Sequence, residues 1–170
     1  MELETQSTLS IAAEIGIGVA GFSSIASAVL SRSNPDQFDA LWVQMRTLLL
    51  TSLAVIMLSY IPMVLGASAM SEKTLWMLGS GIYAVWVFIT LVVFVSGYRV
   101  LSRQSGNKRL VANVTLVAAL ASLMLNCANV AILRQPWPFL AALGCGLLVT
   151  FSQFVSLVRI FWDLNGRDSG

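Results

Sequence analysis

Histidine is absent from all 170 residues. Its absence excludes a Ser-His-Asp triad, a His-ligated zinc site and a His-ligated haem, and with them whole classes of enzyme. The only two cysteines, Cys127 and Cys145, fall inside apolar stretches and lack the CxxC spacing of metal and redox sites. They read as small buried hydrophobes, with a disulfide as the alternative. Charge is also scarce, at 11% of residues, where soluble domains carry roughly 25%. The net charge is only +2, and the ten basic residues form no arm or stripe, which excludes a nucleic-acid partner. Neither a catalytic constellation, nor a cofactor motif, nor a metal-ligand set is legible, so the reading is of a non-enzymatic chain without a cofactor.

What is abundant is apolar surface, at 57% of residues. A helix needs about 20 apolar residues to cross the hydrocarbon core. Stretches at 9–30, 47–65, 75–98, 110–132 and 137–161 meet or approach that length. The connections are short and none could fold alone. The expectation is an all-α integral membrane bundle of about five transmembrane helices, forming one domain over 1–170. Ala26-Ser27-Ala28 has the form of a signal-peptidase site, but Glu2 and Glu4 precede the apolar run without any Lys or Arg, and Glu14 interrupts it. A retained helix is expected.

Before the second span, Asn34 and Pro35 form a helix start, and Phe38, Leu41, Trp42 and Met45 recur at helical spacing opposite Asp36, Asp39 and Gln44. This predicts a short interfacial helix lying along the headgroups. Pro62 predicts a kink or a frayed last turn in the second span.

With five spans, Arg32, Arg46, Arg99, Arg103, Lys108, Arg109, Arg159 and Arg167 fall on one side, and Lys73 and Arg134 on the other. The positive-inside rule then predicts a multi-pass protein of the plasma (inner) membrane with its N-terminus outside and its C-terminus cytoplasmic. Trp42 and Trp162 would mark the inner interface, Trp76 and Trp137 the outer one, with Trp86 deep. The cations between the third and fourth spans also suit anionic lipid headgroups, so membrane lipids are expected partners.

In the first span, Ala12, Gly16, Ala20, Ser24 and Ala28 form a small-residue ladder at four-residue spacing, suited to close helix packing within the chain, to a homo-oligomer or to another membrane protein. Glu14, Gly18 and Gly21 share a second sector with room for a neighbour, while Ile11, Ile15, Val19, Phe22 and Val29 gather on a third. The helix should touch protein on two faces and lipid on one. Glu14 lies roughly 8 Å inside the span, where a carboxylate must be neutralised by a proton or partnered. Arg134 is the expected cation.

Tyr60, Tyr83, Asn126 and Asn129 fall at comparable depth. On the fourth helix Thr115, Ala119, Ser122, Asn126 and Asn129 form one stripe, the third offers Gly79, Tyr83, Trp86, Thr90 and Gly97, and the fifth Ala142, Gly146, Thr150 and Gln153. Two readings follow. In one, the polar seam holds the bundle in register and the protein acts through membrane contacts, as an oligomer or accessory subunit. In the other, Glu14, Tyr83, Asn126, Asn129 and Arg134 form a proton or cation site of a small transporter or channel.

The run from Ala13 to Phe22 (AEIGIGVAGF), followed by small residues and by a second helix from Arg46 to Pro62, resembles a pattern in small uncharacterised polytopic bacterial membrane proteins. The resemblance covers the first third of the chain. It implies a bacterial inner membrane and carries no activity over to any residue.

Overall fold

The computed structural model describes residues 3–33, 35–68, 70–101 and 106–165, with side chains described for 3–26, 28, 45–68, 70–93 and 112–159. The described residues form five long helices and no strands: α1 (Leu3–Ser33), α2 (Pro35–Gly66), α3 (Glu72–Leu101), α4 (Gly106–Ala128) and α5 (Pro136–Asn165). Each contains a stretch long and apolar enough to cross a membrane: Leu3–Ala26, Met45–Gly66, Glu72–Val93, Ala112–Leu133 and Pro136–Arg159. The protein is thus a polytopic membrane protein by helix length and hydropathy.

Local chemistry sets the helix ends. Pro35 opens α2 and Pro136 opens α5, the position where a missing N–H costs nothing. Ser71 caps α3 by accepting from the Thr74 N–H at 3.3 Å. No glycine or proline lies between Pro35 and Pro62, so the amphipathic stretch expected to lie along the headgroups is continuous with the helix of the second span. The span itself begins at Met45, and the side chains of Phe38, Leu41 and Trp42 lie outside the described residues. Helix α2 continues one turn past Pro62 and closes at Gly66 with i→i−3 bonds, Ala67 N to Val64 O at 3.2 Å and Ser68 N to Leu65 O at 3.1 Å.

Helix α4 passes directly into a π-helical turn, Asn129–Leu133, which Arg134 ends in the left-handed region at φ 51°. The Arg134 N–H donates to the Asn129 carbonyl at 3.0 Å. An unfavourable backbone conformation for a long side chain is thereby held by a hydrogen bond that reverses the chain into α5.

Helices α2, α3, α4 and α5 close a ring in which α2 packs on α3, α3 on α4, α4 on α5 and α5 on α2. Among the described residues α1 packs only on α2 and α5, outside the ring. Two apolar clusters hold this arrangement. The larger gathers Leu9, Leu58, Trp76, Tyr83, Phe139 and Leu143 near the α2–α3 and α4–α5 turns, and the smaller joins Met45, Leu48 and Leu157 toward the other end.

In α1 the buried positions are Thr5, Leu9, Ala12, Ala13, Gly16 and Ser23, with Ser10, Val19, Ala20 and Ala26 partly buried. Thr5, Leu9, Ala12, Gly16, Val19, Ser23 and Ala26 alternate steps of four and three, the seam of a coiled coil, and Ala13 widens it. A strict four-residue ladder drifts about 40° per step at 100° per residue. Ala12 and Gly16 therefore face the neighbour and Ala20 is half-buried, while Ser24 and Ala28 have rotated to the outer surface. At Gly16 the helices touch closely: a Cβ there would lie 2.8 Å from Ile56 Cγ1 and 3.2 Å from the Ser52 carbonyl.

Candidate functional site: the polar seam, the ring cavity and Glu14

The three inward stripes expected on α3, α4 and α5 do meet in part. Tyr83 is buried on α3, and its hydroxyl donates to the Ala142 carbonyl of α5 at 2.9 Å. Ser122 of α4 donates to the same carbonyl at 3.4 Å. The phenol fits because residue 146 is glycine, where an added Cβ would stand 3.0 Å from the Tyr83 oxygen. Phe139 packs edge-on to Tyr83 with ring centroids 5.4 Å apart, and tilted against Trp76 at 5.8 Å. Trp76, in the second turn of α3, is 1% exposed within this cluster. Trp137 does lie on the surface, its indole N–H bonded to Gln135 Oε1 at 3.0 Å.

Asn129 is fully buried and has its polar atoms engaged. Its Nδ2 donates to Ser80 Oγ of α3 at 2.7 Å and to the Gln135 carbonyl at 2.9 Å, while its Oδ1 accepts the Gln135 N–H at 2.9 Å. One side chain thus closes the α4–α5 turn and ties it to α3. Asn126 is also buried, but its Nδ2 reaches only the Ser122 carbonyl of its own helix at 2.9 Å, and its Oδ1 has no hydrogen-bond partner.

Glu14 does not join these groups. Among the described residues α1 has no contact with α3, α4 or the π-helical turn, and Glu14 is exposed on the outer surface of the bundle. Gly18 and Gly21 are exposed beside it, with nothing within 4 Å of a Cβ built at either. The sector expected to receive a second protein neighbour is open, so within the described structure α1 packs on protein along a single seam. An additional contact is Phe22, whose ring meets Phe154 of α5 edge-on at 4.9 Å. Arg134, the cation expected for Glu14, is exposed at the α4–α5 turn, where α1 does not reach. Tyr60, expected in the same cluster, is 47% exposed on α2. Both cysteines are free. Cys145 is half-buried, but Cys127, expected to be buried, is exposed.

A cavity does lie inside the ring, but of the residues expected to form a polar site only Tyr83 lines it. Its volume is about 580 Å³, and all four ring helices line it. Tyr83, Trp86, Thr115, Ser122, Gly146 and Gln153 from the expected stripes are in its wall, together with Arg46 at one end. Asn126, Asn129, Arg134 and Glu14 are not. No group of three or more metal-ligating side chains occurs among the described residues. No protein-family model matches the chain, and neither a curated protein nor a solved structure is significantly similar to it.

Proposed function

We propose that the protein is a non-enzymatic subunit of a bacterial inner membrane that self-associates through the outer face of α1. The observation that carries this reading is the position of Glu14, exposed on a membrane-spanning helix among Ile11, Ile15 and Ile17. An ionised carboxylate facing hydrocarbon is costly, and a donor on a neighbouring helix removes that cost. Gly18 and Gly21 continue the same face, leaving a shallow groove along which a second backbone can approach.

A second copy can supply the donor. Gly16 sits against Ser52 and Ile56 in the antiparallel α1–α2 pair, so Tyr60 lies about one helical turn from the depth of Glu14. Its phenol is on the exterior of α2. A reciprocal Glu14–Tyr60 contact about a two-fold axis would satisfy both copies at once. The basic-residue tally supports an N-terminus outside and a C-terminus in the cytoplasm. The transporter reading rested on Glu14 opening into the polar seam, and the carboxylate lies on a helix outside the ring that encloses the cavity.

Cysteine cross-linking in native membranes tests the assembly. A cysteine at Gly21 should yield a dimer band that Glu14→Leu or Tyr60→Phe diminishes. Monomer alone would refute self-association, and cross-links only to a different protein would assign the face to another subunit. Separately, a membrane-impermeant maleimide should label Lys73→Cys and Arg134→Cys from outside intact cells. Labelling only after lysis would reverse the orientation.

A further inference from the structure

The ring of α2 to α5 encloses more space than its side chains fill, and the chemistry of that space is uneven. From Arg46 to Leu58, both in the wall, α2 rises about 18 Å. That is slightly more than one leaflet's half of the roughly 30 Å hydrocarbon core. The volume of about 580 Å³ is within the roughly 300–1,000 Å³ that holds one small ligand. Buried Ala118, Ser122 and Val149 form the deep wall on α4 and α5. The rim is on α2 and α3, where Leu50 and Ile89 are exposed, so the cavity opens sideways between these helices.

Four hydroxyls in the wall are already engaged: Tyr83 and Ser122 donate to the Ala142 carbonyl of α5, and two threonines are turned back into their own helices. Thr51 donates to the Leu48 carbonyl at 3.0 Å and Thr90 to the Val87 carbonyl at 2.9 Å, which leaves methyl groups and aliphatic chains toward the space. Two groups depart from this. Arg46 is exposed at the end of the α2 span, and among the described side chains no carboxylate pairs with it. Gln153 is 7% exposed, and its Oε1 has no hydrogen-bond partner. Leu157 clusters with Met45 and Leu48, so Gln153 lies one turn of α5, about 6 Å, deeper than the level of Arg46.

We propose that the cavity binds a single-chain anionic phospholipid drawn from the adjoining leaflet. Its phosphate sits on Arg46, its glycerol lies beside the Gln153 side chain, and its acyl chain fills the apolar space toward Leu58 and Tyr83. The order of chemistry along the cavity, cation then polar side chain then hydrocarbon wall, is the order of groups along such a molecule. The second chain of a diacyl lipid would remain outside the ring.

The test uses the full chain in phosphatidylcholine nanodiscs, titrated with palmitoyl-lysophosphatidylglycerol or palmitoyl-lysophosphatidylcholine and read by native mass spectrometry. One saturable adduct is expected, with the anionic lysolipid binding about tenfold tighter, the scale of one hydrogen bond to a charged group. Arg46→Gln should remove that preference by weakening only the anionic lipid. Gln153→Leu should weaken both. Ala119→Phe, which fills the cavity, should abolish the adduct, and Leu50→Trp at the rim serves the same purpose if that variant does not fold. Multiple unsaturable adducts, equal affinity for the two headgroups, indifference to Arg46→Gln, or tighter binding of diacyl phosphatidylglycerol would each overturn the proposal.

Discussion

Two glycines two residues apart on α1 should respond in opposite ways to the same substitution. At Gly16 an added methyl would stand 2.8 Å from Ile56 Cγ1 and 3.2 Å from the Ser52 carbonyl. The first atom belongs to a β-branched side chain with restricted rotamers, and the second is backbone, so neither yields without moving α2. Overpacking of this kind costs about 1–3 kcal/mol, against which alanine returns up to about 1 kcal/mol of helix propensity. Gly16→Ala should therefore destabilise the fold by about 1–2 kcal/mol. At Gly18 a methyl would meet nothing within 4 Å, so Gly18→Ala should be neutral or stabilising by up to about 1 kcal/mol.

Unfolding of the detergent-solubilised protein by sodium dodecyl sulfate, followed by tryptophan fluorescence, measures both. The informative quantity is the difference between the two variants, about 2 kcal/mol, because micelle and propensity effects common to both cancel. Trimming the obstruction supplies a second check. Ile56→Val should recover part of the loss in the Gly16→Ala background while destabilising the wild type, a coupling of about 0.5–1 kcal/mol in a double-mutant cycle. A neutral Gly16→Ala, or a Gly18→Ala as damaging as Gly16→Ala in the dispersed monomer, would refute the packing of α1 described above.

The two buried asparagines should separate as clearly. Asn129→Leu removes three hydrogen bonds, two that close the α4–α5 turn and one to Ser80 of α3, and should cost about 2–4 kcal/mol by the same assay. Asn126→Leu loses one bond to its own helix and removes an orphaned Oδ1, so it should change stability by less than about 1 kcal/mol. Gly146→Ala places a methyl 3.0 Å from the Tyr83 hydroxyl. It should destabilise by about 1–2 kcal/mol, and by less in a Tyr83→Phe background, which a double-mutant cycle reads directly. Phe22→Ala removes the edge-on pair with Phe154. It should cost about 0.5–1.5 kcal/mol and raise hydrogen exchange in the second half of α1 while leaving the α4–α5 turn protected.

The five helices were legible because a bilayer imposes a length and an apolar composition that few other structures share. The inward stripes of α4 and α5 were legible because Ser122, Asn126, Asn129, Thr150 and Gln153 contrast with the aliphatic residues around them, and all five are buried. On α1 that contrast fails. Lipid is as apolar as leucine, so small residues are the only guide to a protein-facing side, and α1 has small residues on two sides. Gly16 packs on α2, whereas Gly18 and Gly21 face outward. Glu14 does share its sector with Gly18 and Gly21, but no described helix of this chain packs there, and its expected cation Arg134 proves to be the residue that ends the π-helical turn. The stripes contained part of the cavity's wall, but its size and full lining were not legible, because a void is a property of how four helices fail to fill a space between two apolar clusters.

The arrangement assigns the two unusual groups of the bundle to separate surfaces. Glu14 is on the helix that stands outside the ring, and Gln153 is on the wall inside it. What joins them is a thin layer: Gly16 against Ile56 of α2, and Phe22 against Phe154, the residue that follows Gln153 on α5. A partner helix seated on α1 bears on α2 and α5, the two elements that flank one side of the cavity. Because packed helices shift as units rather than deform continuously, a displacement of α1 large enough to loosen the Phe22–Phe154 contact would also alter the wall that carries Gln153. The outer face and the cavity are therefore linked through the packing of α2 and α5.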